Sequence, residues 1–203
     1  MMLQRVVWTN VTSGGNEPTK RDNFSCTKYN NRFIAIFNGD NNFRIPNDLW
    51  IFDSLESTWS LTNASNAPQN IYGYCAVTLP DETILYIGGT FRDILKGVPM
   101  NKLSLYNPAS NTWKSLNTSG PTPPSRLGFS AVLTSGKHII IYGGVSEDID
   151  VNVFGDLWNL DIETYQWSVG NISNPNDPTL KGHIATLVDN YMIVAFGKKI
   201  WLF

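Results

Sequence analysis

The chain has 203 residues, with 15 Lys and Arg against 17 Asp and Glu, a formal charge of -2. That length permits one large domain or a row of small units, and 42% hydrophobic against 16% charged residues excludes a disordered chain. A slightly acidic balance with no Lys/Arg cluster argues against a general electrostatic grip on nucleic acid or an anionic membrane.

In chain order, the first element is a predicted strand over Leu3 to Asn10 around Trp8. The apolar run Met1 to Trp8 is too short for a secretory h-region, and no 18-residue apolar stretch occurs anywhere. Membrane insertion by this segment is therefore not expected, and a cytoplasmic location is the default expectation. A short run then opens at Phe24, and Phe33-Ile34-Ala35-Ile36-Phe37 ends at Asn38-Gly39. The loop Asp40 to Asn47, the run Leu49 to Asp53 and Trp59 complete a first pattern.

The same order recurs three times. Runs open at Tyr74, Phe129 and His183, and the next runs end at Gly88-Gly89, Gly143-Gly144 and Phe196-Gly197. Loops Thr90 to Asn101 and Val145 to Gly155 precede the third runs Leu103 to Asn107 and Leu157 to Asp161, and Ile200 to Phe203 forms another. Trp8, Trp59, Trp113 and Trp167 stand 51, 54 and 54 residues apart. A period of about 50 marks a repeat architecture. The units run approximately 8–58, 59–112, 113–166 and 167–203, the last incomplete, within a single domain spanning 1–203.

Runs of four to six residues bounded by Gly, Pro, Asn and Asp are too short for helices and too apolar for half-exposed strands. Each unit reads as four short antiparallel strands. A small sheet with two apolar faces is satisfied by stacking against its neighbours around an axis, which is the β-propeller solution and hides most strand edges. The expected class is all-β, with about four four-stranded antiparallel blades forming a closed ring or an open partial propeller. An open arc would expose apolar sheet faces and favour self-association.

These residues resemble the kelch repeat of the superfamily that includes the central domain of galactose oxidase. The resemblance rests on the apolar runs before Gly88-Gly89 and Gly143-Gly144, on Tyr106, and on Trp113 beyond it. Units one and four depart from it with Asn38-Gly39 and Phe196-Gly197. The tryptophans are expected to wedge between blades. Gly39, Gly88, Gly89, Gly143, Gly144 and Gly197 are expected where the backbone turns sharply or packs on the next blade.

Galactose oxidase is a copper-radical enzyme, so the resemblance raises an enzymatic option. Its metal needs two histidines, tyrosines and a tyrosine cross-linked to cysteine. This chain has two histidines, and His183 fills a slot held elsewhere by Phe24, Tyr74 and Phe129. No Ser/His/Asp set assembles from the sequence. We therefore expect no catalysis and no cofactor or metal. The alternative is a carbohydrate-binding or copper-radical-oxidase-derived domain that has lost its catalytic residues. Cys26 and Cys75 sit in apolar runs and are expected to be buried, inert thiols.

A meander places the strand two to three loops on one face, where loop variation on a rigid scaffold acquires partners. There the sequence puts Phe43, Arg44, Phe91, Arg92, Asp93, Glu147 and Asp148, and aromatic plus arginine is the composition of an interface hot spot. A non-catalytic scaffold with an unidentified protein partner, and no nucleic acid, is the functional expectation. Arg21 and Arg126, each three residues before a blade-opening aromatic, fit either a bridge between blades or a partner-binding guanidinium at the channel mouth.

Overall fold

The computed structural model describes residues 16–146, 153–170 and 179–199, and every regular element among them is a strand. Blade one is the meander β1 (Cys26–Tyr29), β2 (Phe33–Phe37), β3 (Leu49–Asp53) and β4 (Thr58–Thr62). After the short β5 (Ile71–Tyr72), blade two contains β6 (Cys75–Thr78) and β7 (Ile84–Ile87). The insertion β8 (Thr90–Phe91) and β9 (Lys96–Gly97) pairs with β5, and β10 (Lys102–Asn107) and β11 (Thr112–Asn117) finish the blade. Blade three is β12 (Ser130–Leu133), β13 (His138–Tyr142), β14 (Leu157–Asp161) and β15 (Gln166–Val169). Blade four shows β16 (Leu180–Lys181), the hairpin β17 (Ile184–Val188) and β18 (Tyr191–Ala195), and β19 (Lys198–Lys199), which pairs with β16. The strands expected around Trp8 and over Ile200 to Phe203 lie outside the described residues. No described helix is long and apolar enough to cross a membrane.

The turns explain why such short strands pair. Asn30 and Asn31 both take positive φ between β1 and β2, the geometry of a tight hairpin turn that asparagine tolerates. At the end of the third strand of blades one to three an Asp or Asn side chain caps the following turn. Asp53 Oδ1 accepts the Leu55 amide, Asn107 Oδ1 the Ser110 amide, and Asp161 Oδ1 the Glu163 and Thr164 amides.

Alternation along the strands gives each blade a forward face, toward the next blade, and a rear face. Leu85 and Ile87 of β7 point forward and meet Ile139, Ile141, Leu160 and Trp167 of blade three; Ile84 and Tyr86 point rearward and meet Ala35, Phe37, Leu49 and Ile51 of blade one. The core is therefore a pair of inter-blade clusters. Each described periodic tryptophan, Trp59, Trp113 and Trp167, lies on its blade's rear face. Trp167 is 0% and Trp113 6% exposed because blades two and one cover them. Trp59 leans on Phe52 at 4.9 Å and is only half-buried, since no described blade lies behind it. The rear face of blade one also carries Cys26, whose thiol is exposed, contrary to the burial expected from its apolar neighbours. Cys75, pressed between blades two and three, has its pKa pushed up by burial to about 12, and its thiol donates to the Phe129 carbonyl at 3.1 Å.

The first strands of consecutive blades lie side by side, β1 by β6, β6 by β12 and β12 by β17, and surround an axial cavity of about 480 Å³. At one end a backbone relay runs from blade to blade. Gly73 N–H donates to the Asn23 carbonyl, Gly128 to Gly73, and Gly182 to Gly128, at 2.7 to 3.1 Å. All four relay residues have positive φ, from 49 to 69°, and glycine accepts that region without strain. Gly88 and Gly143 serve a different contact. A Cβ on Gly88 would sit 2.8 Å from the Phe129 ring, and one on Gly143 2.8 Å from His183, so the next blade's inner aromatic packs on bare backbone.

Candidate functional site

Just outside the relay, every described blade closes with one bridged pair. One member follows the second position of the Gly-Gly site and the other precedes the relay residue. The pairs are Asp22 with Asp40, Tyr72 with Thr90, Leu127 with Val145, and Lys181 with Lys198. All of these but Asp22 and Thr90 line a second cavity of about 480 Å³ at the mouth of the axis, which shares Asn23, Gly128 and Gly182 with the axial one. The backbone device is constant. Its side chains change round the rim from acid, through aromatic, to aliphatic, to lysine. The sequence signal was the residue following each glycine pair, which loop length alone does not single out.

Two of the predicted residues meet at this rim. Phe43 is 81% exposed, with the Arg92 guanidinium 4.7 Å from its ring centre and 5.2 Å from that of Tyr72. Asp40 organises the cluster: Oδ1 accepts the Phe43 amide at 2.8 Å, and Oδ2 pairs with Arg92 at 3.3 Å. Cation–π contact of this kind is worth about 0.5–1 kcal/mol at an exposed site and more when a partner desolvates it. Phe43 has φ of 68°, a region that bulky side chains rarely adopt, so the capped turn holds it there against local preference. Phe196, with φ of 65°, is exposed on the same cavity.

The other predicted residues go elsewhere. Arg44 is exposed and closes the same turn through its backbone bridge to Asn41. Phe91 turns inward onto the cluster between blades one and two, because β8 is paired into a three-stranded sheet rather than looping free. Asp93 is exposed and accepts from Asn70 at 3.4 Å. Glu147 and Asp148 lie outside the described residues. Tyr72, Lys181 and Lys198 were missed, since they sit in short strands rather than in the long loops, and Asp40 opens its loop without being singled out beside Phe43 and Arg44.

Arg21 and Arg126 do neither of the two things the sequence suggested. Each clamps its own blade. Arg126 binds Asp156 through both arms at 2.7 and 3.0 Å, donates to the Gly143 carbonyl, and lies 4.2 Å from the Phe154 ring centre. Arg21 holds Asp48 at 2.6 and 3.1 Å and donates to the Asn38 carbonyl. The carboxylates in turn accept the indole N–H of Trp158 and Trp50, each at 2.7 Å. Burial pushes the Asp156 carboxyl up, but the Arg126 hydrogen bonds and charge, with the Trp158 indole, outweigh it and hold the group below its ordinary value.

His183 is buried in the axial wall. Its Nε2 lies 2.9 Å from Ser130 Oγ and 3.1 Å from the Tyr142 carbonyl, and its ring stands edge-on to Tyr142. Burial lowers its pKa, opposed only by the bond to Tyr142. A histidine harder to protonate folded than unfolded stabilises fully above pH about 6.5, and that stability is lost as pH falls through the folded value. Thermal melts should therefore drop between pH 7.5 and 5, and His183→Phe, the residue of blades one and three in this slot, should flatten the drop. Among the described residues no three His, Cys, Asp or Glu side chains gather where they could hold a metal ion.

The fold and its rim define a class: repeated four-stranded blades about an axis, with a constant backbone frame and variable rim side chains. The chain belongs to the kelch-repeat family, matching the KLHDC2/KLHL20/DRC7 Kelch-repeats domain over residues 1–144. It is 26% identical over 200 residues to acyl-CoA-binding domain-containing protein 4 of Arabidopsis thaliana, covering 94% of this chain and 29% of that protein. It is 29% identical to tip elongation aberrant protein 1 of Schizosaccharomyces pombe, covering 84% and 14% respectively. Acyl-CoA-binding domain-containing protein 6 of Oryza sativa subsp. japonica is 30% identical over 203 residues, with 94% and 29% covered. The chain thus spans less than a third of the length of these relatives. Kelch-repeat domains serve in general as protein-interaction scaffolds.

Proposed function

We propose that this chain is a non-catalytic interaction module that takes a protein partner at the mouth of its axis, on the Asp40, Phe43, Tyr72 and Arg92 cluster, with Lys181 and Lys198 beside it. The observation that carries this reading is the rim itself. Four blades repeat one backbone device and differ in the side chains they place on it, which is how a rigid scaffold acquires a particular partner. An exposed phenylalanine stacked under an arginine supplies apolar area and charge at one point, the composition of a binding hot spot. Asp40 fixes both members beforehand, reducing the entropy lost on binding.

The test is capture of partners from a lysate by wild-type protein and by the Phe43→Ala, Arg92→Ala double variant. Recovery of the specific partner should fall at least tenfold, while the melting temperature moves little because Phe43 is exposed. Equal recovery by a folded double variant would remove the assignment.

A further inference from the structure

The inner slot that locks each blade onto the one before it holds Tyr74 between blades one and two, Phe129 between two and three, and His183 between three and four. The last of these junctions has described blades on both sides, so the burial of its imidazole does not depend on where the chain begins or ends. The two ring nitrogens are placed unequally. Nε2 lies 3.1 Å from the Tyr142 carbonyl, which can only accept, so the ring proton sits on Nε2, with Ser130 Oγ 2.9 Å away. Nδ1 is buried and has no hydrogen-bond partner. The neutral ring leaves a bare lone pair there. An imidazolium would put a second N–H on Nδ1 with nothing to receive it, and a charge with nothing to offset it.

The surroundings supply no counter-charge. β12 presents Ser130, β13 presents the edge of the Tyr142 ring, and Gly143 and Gly197 present bare backbone. Across the axial cavity the titratable side chains are Cys26, Tyr74 and Cys75, none of them a carboxylate. Lys181 and Lys198, the charged neighbours on β16 and β19, line the mouth cavity and as cations oppose a further positive charge. Two backbone bonds cross the junction beside the ring: Gly182 N–H donates to the Gly128 carbonyl at 2.7 Å, and Gly144 N–H to the Leu180 carbonyl at 2.8 Å. We propose that His183 is a proton-operated latch, whose protonation opens the junction between blades three and four at the axial wall while the two junctions before it stay shut. The effect falls on the mouth, because Gly182 belongs to the relay and Lys181 to the rim pair with Lys198. That consequence for partner binding rests on the reading given above; the latch itself does not. Burial lowers the pKa of the imidazole, so the junction is at full strength above about pH 6.5 and weakens as pH falls through the lower folded value.

Amide exchange followed by NMR on the whole chain reads the junctions separately. Gly182 and Gly144 report the junction between blades three and four. Gly128 and Gly89, which donate to the Gly73 and Arg126 carbonyls, report the one between blades two and three. From about pH 7.5 to about pH 5, protection factors corrected for the intrinsic exchange rate should fall about tenfold or more at Gly182 and Gly144, and less than about twofold at Gly128 and Gly89. His183→Phe, which installs the residue of blades one and three, should hold all four constant. His138→Gln, at the exposed second histidine, should behave as wild type. Loss of protection at all four amides together would mean general acid loosening and overturn the latch. Full protection of Gly182 and Gly144 at pH 5 would also overturn it, a wild-type measurement that stands even where a variant fails to fold. So would a folded His183→Phe chain that opens as wild type does. No partner enters these readouts, so the latch and the mouth assignment fail separately.

Discussion

Trp167→Ala should lower the stability of this protein by about 3–5 kcal/mol, the range of a fully enclosed tryptophan removed from a core, whereas Trp59→Ala should cost about 1–2 kcal/mol. The two stand at equivalent points of the repeat, and only their surroundings differ. Trp167 is enclosed between blades two and three, and its indole N–H donates to the Met100 carbonyl at 3.0 Å. Trp59 faces rearward from blade one and is half open. Phenylalanine substitutions separate packing from hydrogen bonding. Trp113 is equally hemmed in by Phe37, Tyr86 and Tyr106, but its buried N–H has no partner. Trp113→Phe should therefore be milder than Trp167→Phe, which removes the indole hydrogen bond to the Met100 carbonyl, leaving it only the Thr118 hydroxyl at 3.3 Å, at a cost of about 0.5–1.5 kcal/mol. Urea denaturation of the four variants would show the order. Equal losses at Trp59 and Trp167 would mean that blade one is covered in solution.

That contrast also marks how far the sequence could be read. A spacing of about 50 residues is a property of the repeat, so the blades, their strand order and the wedge role of Trp113 and Trp167 were legible from it. Coverage depends on what lies in front of and behind each blade, and the repeat says nothing about that. This is why Cys26 and Trp59 are more open than their apolar neighbours suggested. The mouth was half legible for a related reason. Phe43 and Arg92 stand out as an aromatic and a cation in dissimilar loops, but Phe91 follows strand alternation into the core, and Tyr72 reaches the rim from a two-residue strand invisible to periodicity. Pairing across 18 residues, as between Asp22 and Asp40 or Tyr72 and Thr90, is a tertiary fact.

Arg126→Ala is the second large loss to expect, about 2–4 kcal/mol. The guanidinium side chain is fully buried, and its removal takes the counter-charge from the part-buried Asp156 carboxylate, which keeps the Trp158 indole and its own backbone N–H, and leaves the Gly143 carbonyl without its guanidinium donor. Breaking a buried pair costs about 3–5 kcal/mol, and the partial exposure of Asp156 reduces that. Lysine should rescue little, because a point charge cannot hold both carboxylate oxygens and lie flat against Phe154. Blade two shows that the clamp is dispensable when removed whole: Ile71, Lys102 and Ser104 stand at the positions of Arg126, Asp156 and Trp158. Arg126→Ala with Asp156→Ala should accordingly cost less than the sum of the single changes, with a coupling of about 1–3 kcal/mol in a double-mutant cycle. The pH dependence gives an independent check. The folded carboxyl is depressed, so the stability it contributes is present above its unfolded value near pH 4 and is lost as pH falls through the lower folded value. The acid limb of the wild-type stability curve should therefore be steeper than that of Arg126→Ala. Parallel acid limbs in the two proteins would show that the clamp does not hold in solution.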